Sequence, residues 1–196
     1  MSVIVFDTET TAAEPGQICQ LAYLVIDGGR AEGRNYYFTV DAMTPRAAGV
    51  HGLTREGLKA LSGGRRFGDC APRILADFAA ASLLAGHGVA FDERFLRAEF
   101  ERCGIELAEK ETFCTRDFFV QMMRSRFGRR VGWPSLAQLA AHYGLEREAI
   151  AANARACFGG GDAPHDARYD AAATWLVMRE AAARGDVNSL SFGGAR

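Results

Sequence analysis

The apolar run Val3-Ile4-Val5-Phe6 leads without a break into Asp7-Thr8-Glu9. The run has the length and the β-branched and aromatic content of a short buried strand. A carboxylate at the end of such a strand is costly to bury unless something positive meets it. Residues two apart on an extended chain point to the same side, so Asp7 and Glu9 share one face. Paired carboxylates suit a divalent cation that prefers hard oxygen ligands, such as Mg²⁺ or Mn²⁺. The pair alone does not decide for a metal, because further ligands must come from elsewhere in the chain. Other acids at this spacing, Glu99/Glu101, Glu109/Glu111 and Glu146/Glu148, lie in charged stretches and read as solvated faces.

The chain has 196 residues, 48% of them hydrophobic, which suffices for one sizeable core and is short for two domains. A formal net charge of -1 excludes a globally basic nucleic-acid binder, so any attraction to polyanions must be local. Cys19, Cys70, Cys103, Cys114 and Cys157 are odd in number and lack CxxC spacing, which argues against a disulfide framework and a structural zinc site. The N-terminus has no basic leader, and no stretch approaches the roughly 20 apolar residues that cross a membrane. A cytoplasmic protein without a membrane partner is the expectation.

The first forty or so residues read as three antiparallel strands: 3–7, 18–26 and 35–40, with Asp27-Gly28-Gly29 as a turn. The texture then changes to helix alternating with short strand. Helices are expected over 71–81, 91–103, 134–143 and 166–184, and short strands over 82–85 and 112–115. Strands first and then alternating elements imply an α/β fold: a mixed sheet with helices on both faces. The body is expected to span residues 1–185, with a flexible tail over 186–196.

Two later segments carry chemistry. Asp92, in His87-Gly88-Val89-Ala90-Phe91-Asp92, precedes Phe95 and Leu96 by three and four residues and shares their apolar face. It reads either as a helix N-cap or as a ligand. A preceding strand and a glycine turn put it at a sheet edge, where sites gather in α/β folds. The other segment is Pro164-His165-Asp166-Ala167-Arg168-Tyr169-Asp170. Five residues rotate a helix by about 500°, so His165 and Asp170 cannot share a face of one straight helix. His165 must lie on the approach and Asp170 one turn in. Ala167, Ala173 and Thr174 beside Asp170 are small enough to let the helix lie close to a sheet. Taken singly, His165 also reads as a surface histidine, and Asp170 as a solvated acid.

In order, Phe6-Asp7-Thr8-Glu9-Thr10, His87 to Asp92, and His165 with Asp170 five later resemble the motifs of the DEDDh 3'-5' exonucleases, the DnaQ-like family on the ribonuclease H-like fold. Ile18-Cys19-Gln20-Leu21-Ala22, Val50-His51-Gly52-Leu53-Thr54, Phe113-Cys114-Thr115 and residues 136–144 are similar in style to the same family, so the likeness covers residues 1–184. One departure is Gly88, where the middle motif often carries Asn.

The resemblance implies hydrolysis of phosphodiesters at 3' ends, with release of nucleoside monophosphates, on two Mg²⁺ ions that Mn²⁺ can replace. Asp7, Glu9, Asp92 and Asp170 would be the metal ligands: Asp7 shared by both ions, Glu9 and Asp170 at the water-activating site, and Asp92 acting largely through water. His165 would be the general base, a task that suits histidine's unperturbed pKa of about 6.5. The backbone at Thr8 to Thr10 and the element around His51 and Leu53 would cradle the terminal nucleotide. Within residues 116–130, Arg116, Arg124, Arg126, Arg129 and Arg130 alternate with Phe118, Phe119 and Phe127. Arg124, Arg126 and Phe127 are the candidates for phosphate and base contact, against a plain basic loop beside core aromatics. Single-stranded or frayed DNA is the favoured substrate, RNA trimming the alternative. A DNA polymerase or repair partner stays open, as does a non-catalytic binding module.

Overall fold

The computed structural model describes residues 2–13 and 16–187. Its sheet contains β1 (Val3–Thr10), β2 (Ile18–Asp27), β3 (Arg30–Tyr37), β4 (Leu83–Gly86) and β5 (Glu111–Cys114), in the spatial order β3-β2-β1-β4-β5. The first three strands are antiparallel, and β4 and β5 run parallel to β1. This is the mixed sheet that the sequence implies. The third strand begins earlier than expected. Asp27 pairs with Arg30 across Gly28 and Gly29, which take φ of +53° and +80°, so the ladder resumes directly after a two-residue turn. Phe38 has already left the strand, but its N–H bonds Cys19 O at 3.0 Å and its ring is buried.

The helices are α1 (Pro45–His51), α2 (Arg55–Ser62), α3 (Phe67–Ala80), α4 (Val89–Arg102), α5 (Thr115–Phe127), α6 (Leu136–His142), α7 (Arg147–Phe158) and α8 (Ala167–Ala183). Four of these escape the sequence reading, each for a physical reason. The α1 and α2 helices are too short to show a period; Thr44 and Thr54 cap them by accepting from Ala47 N and Gly57 N. The buried apolar stripe of α5 is only Phe119, Met122 and Met123 amid arginines, so the period is hard to see, yet residues 116–130 are mainly helix and not a basic loop. The α7 helix buries Ile150 and two alanines, a weak apolar signal. The α3 helix starts before the expected residue 71 because Arg66 N donates to Asp69 Oδ2 at 2.8 Å, which puts Pro72 in the second turn.

Alternation along β1 splits the core in two. Ile4 and Phe6, with Leu21, Tyr23 and Leu84, meet Ile74 and Phe78 of α3 and Phe95, Leu96 and Phe100 of α4. Val3 and Val5, with Leu24, Ile26 and Ala85, meet Met178 of α8 on the opposite face. The α8 helix is in turn covered by α5, α6 and α7 through Phe119, Leu139, Ile150 and Ala154. Ala167, Ala171, Ala172, Ala173 and Thr174 are all buried, so α8 lies close to the sheet as the small residues suggested.

Two expectations are corrected here. Glu99 is not on a solvated face: it is buried, and its Oε1 accepts from Ile18 N at 2.8 Å and pairs with Arg102 at 3.0 Å. Asp186 and Val187, assigned to the tail, pack on the body. Asp186 binds Arg126 and Tyr143, and Val187 touches the core, while residues 188–196 lie outside the described residues. All five cysteines are free. No helix among the described residues is long and apolar enough to cross a membrane.

The approach of α7 to β3 can be tested at Gly33, where a Cβ would lie 2.2 Å from Cys157 O. Gly33→Ala is expected to lower the unfolding free energy by about 2 kcal/mol in urea titrations, since the neighbouring atom is backbone and cannot turn aside. Gly49→Ala, where a Cβ meets nothing within 4 Å, is the control and should be neutral or slightly stabilising. Equal midpoints for the two variants would contradict the packing.

Candidate active site

The central strand outruns its parallel neighbour. The β1–β4 ladder pairs Val3 to Val5 with Leu83 to Ala85 and then stops, while β1 continues to Thr10 paired only with β2. Beyond Gly86 the chain turns away through His87 and Gly88 into α4. A crevice opens at the carboxyl ends of β1 and β4, the place where parallel strands leave room for a ligand. The resulting cleft is about 310 Å³ and is lined by Asp7, Thr8, Glu9, His87, Gly88, Phe91, Asp92, Arg116, His165 and Asp170.

Asp7 and Glu9 project from β1 toward α8, and Asp170 comes from the first turn of that helix. Carboxylate oxygens of these three lie within 4.8 Å of one another. Among the described residues no side-chain donor pairs with Asp7 or Glu9. Asp92 reaches the cleft from the opposite face of the sheet. It is not an N-cap, because Gly88 holds that position in the left-handed conformation and Asp92 sits within the first turn of α4. Its Oδ1 accepts from both Thr8 N (3.1 Å) and Thr8 Oγ1 (2.6 Å), which ties α4 to the end of β1.

Burial raises all four acids, and repulsion among them adds to it at Asp7, Glu9 and Asp92. Burial, then repulsion from Asp92, Asp170 and Glu9, holds Asp7 well above the usual carboxylate range. Burial, then Asp170 and Asp92, raises Glu9 to about 8. Burial raises Asp92 to about 7 against the opposing hydrogen bonds from Thr8. Asp170 is raised to about 6, again by burial, with the His165 N–H bond opposing. The neighbouring Asp166 behaves differently: burial pushes it up, but hydrogen bonds from Arg168 and Gln20 outweigh this and leave it below its usual value. Of the acids in this corner, Asp166 is paired with Arg168, and Asp7, Glu9, Asp92 and Asp170 make no ion pair among the described residues. A closely spaced, all-carboxylate donor set without a protein counter-charge fits hard divalent cations.

The approach to α8 is fixed by a polar clamp. Gln20 Nε2 donates to Asn35 Oδ1 and Asp166 Oδ1 at 3.0 and 2.9 Å, and Gln20 Oε1 accepts from Ala167 N at 3.3 Å. Asp166 caps the helix by accepting from Arg168 N at 3.0 Å. His165 is the only non-glycine residue with positive φ among the described residues, at +63°. Its N–H donates to Asp170 Oδ2 at 3.0 Å, and its side chain borders the cleft. A histidine tolerates this conformation at modest cost, and such outliers cluster at functional sites.

The other sequence candidates divide. Both donors of Thr8 are committed to Asp92, so Thr8 positions that acid and offers no hydrogen to a ligand. Thr10 Oγ1 donates to Ala12 O at 2.9 Å. His51 ends α1, accepts from Leu53 N at 3.1 Å through Nδ1, and therefore directs its Nε2–H at Thr10 O, 3.3 Å away. It joins the α1–α2 corner to the end of β1. Arg124, Arg126 and Phe127 lie outside the cleft lining, at the far end of α5, where Arg126 is ion-paired to Asp186. Four cleft residues were not among the sequence candidates: His87, Gly88, Phe91 and Arg116. Arg116 follows β5 by two residues, and the carboxyl end of a strand parallel to β4 was the signal that could have found it.

The raised carboxylates make a prediction about the metal-free protein. Their unfolded values are about 4, so between about pH 4 and 8 the native state binds more protons than the unfolded state. Stability therefore falls as pH rises through that window. The Tm of EDTA-treated protein should drop between pH 5 and 8, and Mg²⁺ should restore it. Glu9→Gln should raise the metal-free Tm at pH 8 and flatten the decline. A Glu9→Gln protein no more stable than the parent at pH 8 would falsify this account of the cluster.

Comparison with known proteins agrees with this geometry. The sequence matches the RNase_T family model, described as Exonuclease, over residues 4–178. A search of the curated proteins found no match. Among solved structures, E. coli exonuclease I in complex with a dT13 oligonucleotide superposes with a TM-score of 0.74 at 20% identity, over 93% of this chain and 41% of that one. The zinc-bound form of the E. coli exonuclease I–single-stranded DNA complex gives 0.75 at 20% identity, over 93% and 40%. The moderately thermophilic exonuclease I of Methylocaldum szegediense gives 0.73 at 19% identity, over 93% and 40%. The chain thus spans about two fifths of the length of these structures, and their likeness is one of fold. With the family model matched over most of its length and the acidic cluster at the sheet's crevice, this chain belongs to the exonuclease family.

Proposed function

We propose that the chain is a 3'-5' exonuclease that releases nucleoside monophosphates from single-stranded or frayed DNA. The observation that carries this reading is the convergence of Asp7, Glu9 and Asp170 within 4.8 Å, in a cleft also lined by Asp92 and His165. Asp7, Glu9 and Asp170 would hold a pair of Mg²⁺ ions, or Mn²⁺ in their place, with Asp92 supporting them. Bound there, the pair would neutralise the phosphate and ease deprotonation of a water nucleophile.

The chain's own groups supply the rest. His165 accepts the water's proton. Its backbone N–H is anchored on Asp170, which leaves the imidazole to face the cleft. Thr8 keeps Asp92 oriented, and the Gln20–Asp166–Arg168 clamp keeps His165 and Asp170 in register with β1. A cleft of about 310 Å³ is at the small end of ligand sites, which suits one terminal nucleotide better than a duplex. Further from the cleft, Arg124 and Phe127 are both exposed at the end of α5. Arg124 lies about 12 Å along the helix from Arg116, a distance that suits upstream phosphates and bases. The choice of DNA is supported by the likeness to exonuclease I, whose solved complexes include dT13.

The test uses 3'-labelled and 5'-labelled single-stranded DNA and RNA with Mg²⁺, Mn²⁺ or EDTA. We expect mononucleotides from the 3' end of DNA, abolished by EDTA. His165→Ala should lower kcat at least about 100-fold with the Tm unchanged. Loss of the 5'-terminal nucleotide first would sink the polarity, faster loss from RNA would shift the substrate, and a fully active His165→Ala protein would remove the base.

A further inference from the structure

Arg116 stands apart from the carboxylates it faces. It lines the same cleft as Asp7, Glu9, Asp92 and Asp170, yet makes no ion pair with any of them. Its Nε is buried without a hydrogen-bond partner, and the Asp117 carboxylate lies at 3.9 Å, beyond hydrogen-bond reach. What holds the guanidinium back is stacking: its central carbon lies 4.4 Å from the centre of the Trp133 ring. Trp133 is itself 69% exposed.

One cleft histidine holds the chain neighbours of both partners. His87 Nε2 donates to Pro134 O at 3.1 Å, and His87 Nδ1 lies 3.0 Å from Thr115 Oγ1. Thr115 precedes Arg116 and Pro134 follows Trp133, so these bonds set the position of the pair. Gly88 completes the arrangement. It takes φ of +87°, and a Cβ there would lie 3.4 Å from Arg116 Nη1. The space that a larger residue at position 88 would fill is occupied by the guanidinium.

We propose that Arg116, pre-set on Trp133 above Gly88, binds a phosphodiester of the 3'-terminal segment of the substrate. This rests on the exonuclease reading. A guanidinium with unused donors matches phosphate oxygens in geometry as well as charge. Its stacked position removes much of the ordering cost of binding and keeps it from collapsing onto the carboxylates. Trp133 presents its open face to an unpaired base.

The experiment measures binding of labelled single-stranded oligonucleotides with Ca²⁺ in place of Mg²⁺, followed by Mg²⁺-dependent cleavage. Arg116→Ala should weaken binding and raise KM about tenfold, leave kcat within about twofold, and reduce the salt slope by about 0.7, one phosphate contact on a single strand. Arg116→Lys should recover only part of the loss, because it keeps the charge but not the fork. Gly88→Asn should crowd the guanidinium and weaken binding by a larger factor in the parent than beside Arg116→Ala. A neutral methylphosphonate at one of the last three linkages should weaken the parent and leave Arg116→Ala unaffected. An Arg116→Ala protein with unchanged affinity and salt slope overturns the proposal. Absence of cleavage by the parent overturns the exonuclease reading instead, and the Ca²⁺ binding data still decide the role of Arg116.

Discussion

Three carboxylates meet at the end of the central strand with no protein cation to balance them, and much of the structure serves to keep them there. Like charges 4 to 5 Å apart repel by about 3–4 kcal/mol at an effective dielectric of about 20. A fold that holds Asp7, Glu9 and Asp170 within 4.8 Å must overcome this by packing and hydrogen bonding elsewhere. A face of buried alanines seats α8 close on the sheet, and α5, α6 and α7 pack over its other side and keep it there. Burial and mutual repulsion also raise the affinity of Asp7 and Glu9 for protons.

Each acid is held by a different device. Asp7 and Glu9 are fixed by the ladder of β1 with β2, which persists to Thr10 after β4 has ended. Asp92 is oriented by two hydrogen bonds from Thr8, a residue between the two strand acids that faces the other side of the sheet. Asp170 accepts the N–H of His165, whose left-handed turn is itself locked by the adjacent Asp166 and Gln20. The contrast with Asp166 is informative. An acid one turn from Asp170, paired with Arg168, needs no external charge, so the want of compensation at the other four is specific to the crevice.

Much of this was legible in the sequence, and what was missed follows a pattern. Val3 to Glu9 announced the strand and raised the question of a site, because two carboxylates end an apolar run there, but the pair needed the later motifs to decide it. Singly, His165 and Asp170 read as surface groups; they were legible through the family resemblance of the three motifs in order, and their spacing added only that His165 lies on the approach to α8. The start of β3 was hidden by Gly33, whose lack of a side chain lowers strand propensity but lets α7 approach. The α1 and α2 helices are too short to show a period, and α5 carries its arginines around a narrow apolar stripe. Glu99 looked solvated because its partner, Ile18 N, is distant in sequence.

The sequence by itself determined the order of the five strands and of the four longer-patterned helices α3, α4, α6 and α8, the acids and histidine that line the cleft, and the family to which they belong. Those features depend on local periodicity, turn chemistry and motif spacing. Only the tertiary structure decided that Asp92 is held by Thr8 and does not cap its helix, that His51 anchors a loop to β1, and that Arg116 lines the cleft while stacked on Trp133. These outcomes depend on contacts between residues far apart in sequence, joined where the strands end, and no local pattern encodes which donor will reach which acceptor there.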